Sequence, residues 1–273
     1  MEDIEYRIDS SRRFFSWSEL WRYRELFYFF TWRDIKVKYK QTVLGFLWAV
    51  LQPIIMMVIF TFFFGRILND PSQKMPYPVY VFSGLLLWNV FSSGLLTAAA
   101  SMVGNAGIIK KIYFPRLIIP VSSILVALFD CVMTFIIFIL MLVYFNQHVS
   151  TSVLWCWPLA FLFCIIATLG PSCWLAALNV KYRDFRYVIP FLVQVLFFVT
   201  PVIYPINLLK YEWLRYVITA SPMYAAIEMF RFPLTGDAPD AISMIVSTAS
   251  AVILLFIGLA YFKKTEDFFA DFA

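Results

Sequence analysis

The residues that could do chemistry in this chain are few, and most of them are bases. Between Thr31 and Pro53 the sequence reads TWRDIKVKYKQTVLGFLWAVLQP, with Arg33, Lys36, Lys38 and Lys40 set against the single acid Asp34. From Thr42 the charge disappears until Arg66. A basic cluster abutting an apolar run suits anionic headgroups and the cytoplasmic leaflet, while hydrocarbon rejects ionised groups. Asp130 is the one acid inside a long apolar stretch. A carboxylate there marks either an intramembrane site or a hydrogen-bonded packing group near one end of a span, and a proton relay would require a second acid nearby that the sequence does not supply.

Hydrolytic and phosphate-binding chemistry finds no support. The chain has one histidine, His148, and lacks HExxH, a nucleophile elbow and a GxxxxGK loop. No catalytic residue is predicted. The four cysteines, Cys131, Cys156, Cys164 and Cys173, lie in apolar stretches without close pairing, so they read as buried small hydrophobes and not as metal ligands or a disulfide framework.

Aromatic side chains are the other resource. Thirty Phe, fifteen Tyr and nine Trp exceed what interfacial belts require. A passage for sugars wants ring faces for the C–H surfaces of a pyranose and polar groups at the edges for its hydroxyls. Tyr39, Trp48, Trp88, Asn89, Trp174 and Tyr204 are the candidates for such a path, although lipid or helix packing accounts for the same residues.

The elements that must position these groups follow from composition. The chain of 273 residues is 62% hydrophobic and only 14% charged, against about half and a quarter in soluble domains. This predicts an all-α polytopic membrane protein. The net charge of +5 is a topology signal and not one for nucleic acid, because the bases cluster beside apolar runs. The first 40 residues mix acids and bases without an apolar core, so a cleaved leader is not expected there.

Phe14 to Trp32 is too charged to span, but its Trp and Leu residues recur at near-helical spacing, which predicts an amphipathic helix on the inner surface, within a cytoplasmic region covering residues 1–41. Spans are expected at Thr42 to Phe64, kinked near Ala49 by Pro53, then at Val79 to Val103, Leu117 to Tyr144 and Val153 to Leu178. The stretch from Pro190 to Leu209 just suffices for a fifth. Tyr216 to Ile227 is too short and contains Pro222, so a re-entrant outer hairpin is expected over about 201–227, with Phe232 to Asp240 as an outer loop. The sixth span is Ala241 to Phe262, closing a transmembrane domain of 42–262 before a cytoplasmic tail of 263–273.

Two inner loops, about 105–117 and 179–187, repeat the basic chemistry of the first boundary. Asn105 to Pro120, NAGIIKKIYFPRLIIP, predicts a short amphipathic helix between breakers, a natural docking element. On this topology seventeen of the 22 Lys and Arg lie inside, and Arg66, Lys74, Lys210, Arg215 and Arg231 outside, which favours six spans with both termini cytoplasmic.

RDIKVKYKQTVLGFLWAVLQP at Arg33 to Pro53, FSGLLLWNVF at Phe82 to Phe91, the Asn105 to Arg116 loop ending YFPR, NVKYRDFRYVIP at Asn179 to Pro190, and SPMY at Ser221 to Tyr224 together resemble the permease subunit of bacterial ABC exporters for polysaccharides, especially the O-antigen type. The resemblance covers nearly the whole chain. It implies an inner-membrane homodimer bound to two copies of an ABC ATP-binding subunit, with ATP and Mg held by that partner and none by this chain. It implies an undecaprenyl-pyrophosphate-linked glycan as cargo, entering near Arg33, Lys36, Lys38 and Lys40. Lys110, Lys111, Tyr113, Phe114, Pro115 and Arg116 would belong to an inner coupling helix that engages the partner. Export of teichoic acid or capsule, or a scaffold or flippase without ATP, are the alternatives.

Overall fold

The computed structural model describes residues 21–40, 45, 47–68, 74–206 and 211–266. The N-terminal part of the expected interface helix, the expected start of the first span and the last seven residues lie outside that set. Among the described residues the chain is a succession of helices: α1 (Arg24–Lys40), α2 (Leu47–Leu68), α3 (Tyr77–Gly104), α4 (Ala106–Ile109), α5 (Ile118–Tyr144), α6 (Val153–Lys181), α7 (Phe185–Val199), α8 (Glu212–Thr219), α9 (Tyr224–Thr235) and α10 (Ala241–Thr265).

Five of these, α2, α3, α5, α6 and α10, are long and apolar enough to cross a membrane. An uninterrupted apolar helix is the form lipid demands, because each backbone N–H must find its carbonyl within the segment. The expected boundaries of α3, α5 and α6 hold to within about three residues. At 28, 27 and 29 residues, these helices are about 40 Å long, longer than the roughly 30 Å hydrocarbon core, so their ends extend into the headgroup region.

Three segments differ from the sequence expectation. α1 carries helix beyond the expected limit at Trp32 and through the basic cluster to Lys40, so Arg33, Lys36, Lys38 and Lys40 lie on a helix. α7 begins at Phe185, ahead of Pro190, and has 15 residues, about 22 Å. Pro190 forfeits one backbone bond there, to the Arg186 carbonyl near the helix start. α9 runs through Pro233 to Thr235, across part of the expected outer loop, and ends at Gly236, whose φ of 70° suits glycine in a left-handed cap. The 8 residues of α8 and 12 of α9 are each too short to cross.

The core is built on α3, whose candidate-span window is 78% buried. Its small and hydroxylated residues explain how it packs on several sides at once. Gly94 meets the Thr168 methyl of α6, where an added Cβ would stand 3.1 Å away, and the Asn179 amide donates to the Ala99 carbonyl at 2.8 Å. Ser83, Ser93 and Ser101 turn their hydroxyls back onto carbonyls of their own helix, which removes the penalty of placing them among apolar neighbours. By contrast, the α2 window is only 11% buried.

At one end of this wall a single side chain ties three elements together. Arg231 of α9 is 2% exposed. Its guanidinium donates to the Tyr80 hydroxyl at 2.8 Å, to the carbonyls of Pro201, Val202 and Tyr80 at 3.0, 2.6 and 3.1 Å, and to the Ser83 hydroxyl at 3.2 Å. It lies over the Tyr80 ring, 3.6 Å from the centroid. Gly84 makes the space, since a Cβ there would stand 2.6 Å from the guanidinium and 2.6 Å from the Val202 carbonyl oxygen. Arg231, counted among outer charges from sequence, is thus a buried tie between α9, α3 and the turn after α7. A buried cation persists only when its donors are satisfied in this way.

α6 and α10 approach through two glycines. A Cβ on Gly258 would stand 2.0 Å from the Gly170 carbonyl oxygen, and one on Gly170 would stand 2.5 Å from the Leu255 nitrogen. Both contacts are to backbone, which cannot swing aside. We therefore expect Gly258→Ala to separate these helices and to cost about 1–3 kcal/mol, read as a melting temperature in detergent several degrees below wild type. An unchanged melting temperature would contradict the close crossing.

Candidate functional site

The basic cluster on α1 divides into two kinds. Arg33 donates to Asp34 at 2.8 Å and to the Asn105 side-chain carbonyl at 2.8 Å, and its guanidinium lies 4.8 Å from the centre of the Phe30 ring. Phe30 is buried against Phe114, with ring centroids 5.6 Å apart. These contacts join α1 to the inner loop that follows α3. Lys38 pairs with Asp130 of α5, and the Tyr39 hydroxyl donates to the other Asp130 oxygen. Burial first, and then the neighbouring carboxylate, hold the Tyr39 phenol above its ordinary range, so it remains a donor. Lys36, stacked 5.2 Å from the Trp32 ring centre, and Lys40 remain exposed.

Asp130 is the thirteenth of the 27 residues of α5, so it stands at mid-helix and not near one end. At that position an unpaired carboxylate would be costly, and the pairing explains why α1 turns its C-terminal residues toward α5. The lysine stem is long enough to lie along apolar surface while its ammonium reaches the acid.

Beside this pair lies a cleft of about 650 Å³. Lys38 and Tyr39 from α1, Trp48 and Gln52 from α2, Asn89, Ser92 and Ser93 from α3, and Asp130 and Thr134 from α5 supply its polar and aromatic lining, and Val90, Leu96 and Ala127 its apolar wall. Three of the six sequence candidates for a glycan path, Tyr39, Trp48 and Asn89, are brought together here. The other three are not. Trp88 is buried between Phe91 and Phe197, at centroid distances of 5.2 and 5.5 Å. The Tyr204 hydroxyl donates to the Phe198 and Val199 carbonyls at 3.0 and 3.1 Å, which closes the turn after α7. Trp174 is partly exposed on α6 and does not line the cleft.

Gln52, Ser92, Ser93 and Thr134 were missed from sequence. Gln52 carried a usable signal, as an amide inside an otherwise apolar span. The hydroxyls carried none, because serine and threonine are ordinary in helices that bond them to their own carbonyls.

The inner loop does not form the helix expected of it. Only Ala106–Ile109 is helical, and Tyr113, Phe114 and Pro115 follow a turn in non-helical backbone. Pro115 explains this locally, because the residue before proline is driven out of the α region. The side chains divide by function. Phe114 points inward to Phe30, while Tyr113 is 73% exposed and Ile112 60%. Lys110 and Lys111 are also exposed, and the Arg116 backbone N–H donates to Glu266, beyond α10, at 3.5 Å. An exposed aromatic-aliphatic pair with two lysines beside it is a surface suited to a protein partner.

Comparison with known proteins places this architecture. A family model described as ABC-2 type transporter matches residues 25–234. An O-antigen export system permease protein RfbA from Klebsiella pneumoniae is 29% identical over 241 residues, covering 88% of this chain and 91% of the relative. A protein of the same name from Myxococcus xanthus is 28% identical over 256 residues, 93% of this chain and 97% of the relative. The polysialic acid transport protein KpsM of Escherichia coli is 23% identical over 244 residues, 86% of this chain and 91% of its own length.

The different surroundings of Trp88, buried, and Asn89, lining the cleft, are directly measurable. In a chain whose four native cysteines are replaced by alanine, a cysteine at position 89 should react readily with a small maleimide, and one at position 88 should stay protected. Equal labelling of the two would remove Asn89 from the cleft lining.

Proposed function

The chain belongs to the ABC-2 type transporter family, and from that premise we propose that it is the permease subunit of an ATP-driven exporter that moves a lipid-linked polysaccharide across the cytoplasmic membrane. The observation that carries this reading is the nearly end-to-end likeness to O-antigen export permeases and to a polysialic acid transport protein. The greater identity to the O-antigen proteins, 29% and 28% against 23%, favours an O-antigen-like cargo.

The finer architecture is read as follows. The five long helices and α7, extended by the turn that follows it, make six crossings, with both termini cytoplasmic. α8 and α9 form an outer re-entrant pair, held by Arg231 against α3. Residues 1–41 precede the transmembrane domain as a cytoplasmic tail and interface helix, and 263–273 follow it. Two copies of the chain form the passage with two copies of the ATP-binding subunit. The low burial of α2, which exposes Ile55, Val58 and Phe62, is compatible with a face shared between lipid and a second copy.

Energy enters at the inner loop. The chain has no phosphate-binding loop of its own, so ATP and Mg belong to the partner subunit, and this chain is not itself an enzyme. Tyr113 and Ile112 present the exposed contact, Lys110 and Lys111 flank it, and Phe114 with Pro115 and Arg116 fixes the loop to the body. Movement of the loop is transmitted through Phe114–Phe30 and Asn105–Arg33 to α1, a helix stiff enough to carry displacement along its length. Of the four basic residues first read as a lipid-phosphate entry, Lys36 and Lys40 retain that role, because Arg33 and Lys38 are engaged within the chain.

Reconstitution of this chain with the ATP-binding subunit of its host tests the reading. ATP-dependent transfer of a lipid-linked glycan across the vesicle membrane is the expected result, and stable assembly without transfer would refute it. Tyr113→Ala should preserve assembly yet lower ATP-coupled transfer by about tenfold, equivalent to roughly 1.4 kcal/mol. Lys36→Glu combined with Lys40→Glu should weaken transfer of a pyrophosphate-linked cargo, and undiminished transfer would remove the phosphate role.

A further inference from the structure

We propose that the cleft between α1, α2, α3 and α5 is a binding site for an uncharged sugar ring, and that it rejects phosphate. The proposal deepens the exporter reading and rests on it for the source of the sugar, but its evidence is the chemistry of the cleft itself.

The volume of about 650 Å³ falls within the ~300–1,000 Å³ of small-molecule sites. Trp48 is 56% exposed yet lines the cleft, so its indole offers a face to whatever enters. Gln52 and Asn89 supply two carboxamides, and among the described residues neither side chain has a hydrogen-bond partner. Gln52 is the sixth residue of α2, near the start of the first span, and its side chain is exposed. An amide there is free to meet water or a polar ligand that enters the cleft. Each carboxamide presents donors and an acceptor together, the combination that matches adjacent hydroxyl groups on a ring. Ser93 donates to the Asn89 carbonyl at 2.6 Å, and Thr134 to the Cys131 carbonyl at 3.0 Å. Both hydroxyl oxygens therefore remain available to accept.

Charge decides against phosphate. Among the described residues of the lining the two ionised groups are Lys38 and Asp130, and they pair with each other. Both Asp130 oxygens are occupied, one by Lys38 and one by Tyr39. The pair is neutral in sum, and an arriving phosphate would meet a carboxylate beside the one ammonium that lines the cleft among the described residues. A neutral ring meets mixed donors, acceptors and an indole face, with no charge to desolvate. The exposed lysines, Lys36 and Lys40, do not line the cleft, so sugar and phosphate recognition are separate in space.

The test uses the full chain with its ATP-binding partner in phosphatidylcholine nanodiscs. One probe is glucosyl diacylglycerol carrying a diazirine on the glucose, the second is phosphatidate with a diazirine on its headgroup, and the third is a diazirine methyl glucoside without acyl chains. Labelling by the glucolipid at Tyr39, Trp48, Gln52 or Asn89, with competition by unlabelled methyl glucoside, is the expected result. Preference for the glucolipid over the glucoside assigns the site to a membrane-borne sugar, and the reverse preference assigns it to a free one; both outcomes uphold sugar recognition. Gln52→Met and Asn89→Leu, which keep side-chain volume, should each lower labelling by about five- to tenfold. Labelling outside the cleft, equal labelling by the phosphatidate probe, or no labelling at all in the wild type would overturn the proposal, and the wild-type map needs no variant to fold. ATP-driven transfer is measured on the same preparation. Intact transfer without cleft labelling sinks this inference alone, while cleft labelling without transfer sinks the exporter reading alone.

Discussion

A carboxylate placed at the middle of an apolar helix must be matched, and Asp130 is matched from outside its own bundle of spans. Lys38 and Tyr39 reach it from α1, so one ion pair sets where the N-terminal helix can lie. With α1 held there, its other contacts fall into place: Phe30 packs on Phe114 and Arg33 bonds Asn105. The attachments at Arg33 and Lys38 are five residues apart, about 7.5 Å along a helix. Over that distance α1 is effectively rigid, and the inner loop and the middle of α5 are mechanically joined. The same pairing neutralises the cleft beside it, leaving the surrounding amides and hydroxyls to define what can bind.

The far end of α3 is organised by a second buried charge. Arg231 satisfies its donors on α3 and on the turn after α7, and Thr200 and Ser221 add a contact of 2.8 Å between that turn and the short helices. α3 is therefore the common wall of both polar sites. Its glycines and serines permit close packing there, while the crossing of Gly170 and Gly258 fixes α10 on α6. Burial is greatest in α3, at 78% of its span window, and least among the long helices in α2, at 11%.

Hydropathy and charge were enough to read the long helices. α3, α5 and α6 begin and end close to where apolar runs meet glycine, proline or lysine, because lipid admits few other boundaries. The basic stretch at Arg33 to Lys40 stood out in the sequence, but its helical geometry was not legible, since a charge cluster has the same composition in a turn as on a helix. The partners of Asp130 were equally hidden: Lys38 and Tyr39 lie some ninety positions away in sequence, and no local pattern encodes that contact. Trp88 and Asn89 are neighbours in the chain with opposite fates, one buried among aromatic rings and one facing the cleft. Helical phase relative to packing neighbours decides between them, and α3 is buried on too many sides for amphipathicity to reveal its phase. Arg231 looked like an outer charge because burial of a guanidinium depends on carbonyls freed by a distant turn. Pro115 was noted as a helix limit, and the loop keeps only the short helix Ala106–Ile109, with Phe114 before the proline in non-helical backbone.

The Lys38–Asp130 pair is thus the contact on which the position of α1, the neutrality of the cleft and the link to the inner loop all depend. A charge swap tests this most directly. Export by the complete complex is measured for Lys38→Asp, for Asp130→Lys and for both together, with membrane levels of each variant determined in parallel. We predict that each single reversal abolishes export by leaving like charges opposed, and that the double reversal restores a substantial part of it. Full export in either single variant, or a double variant as inactive as the singles while equally abundant, would contradict the role assigned to this pair.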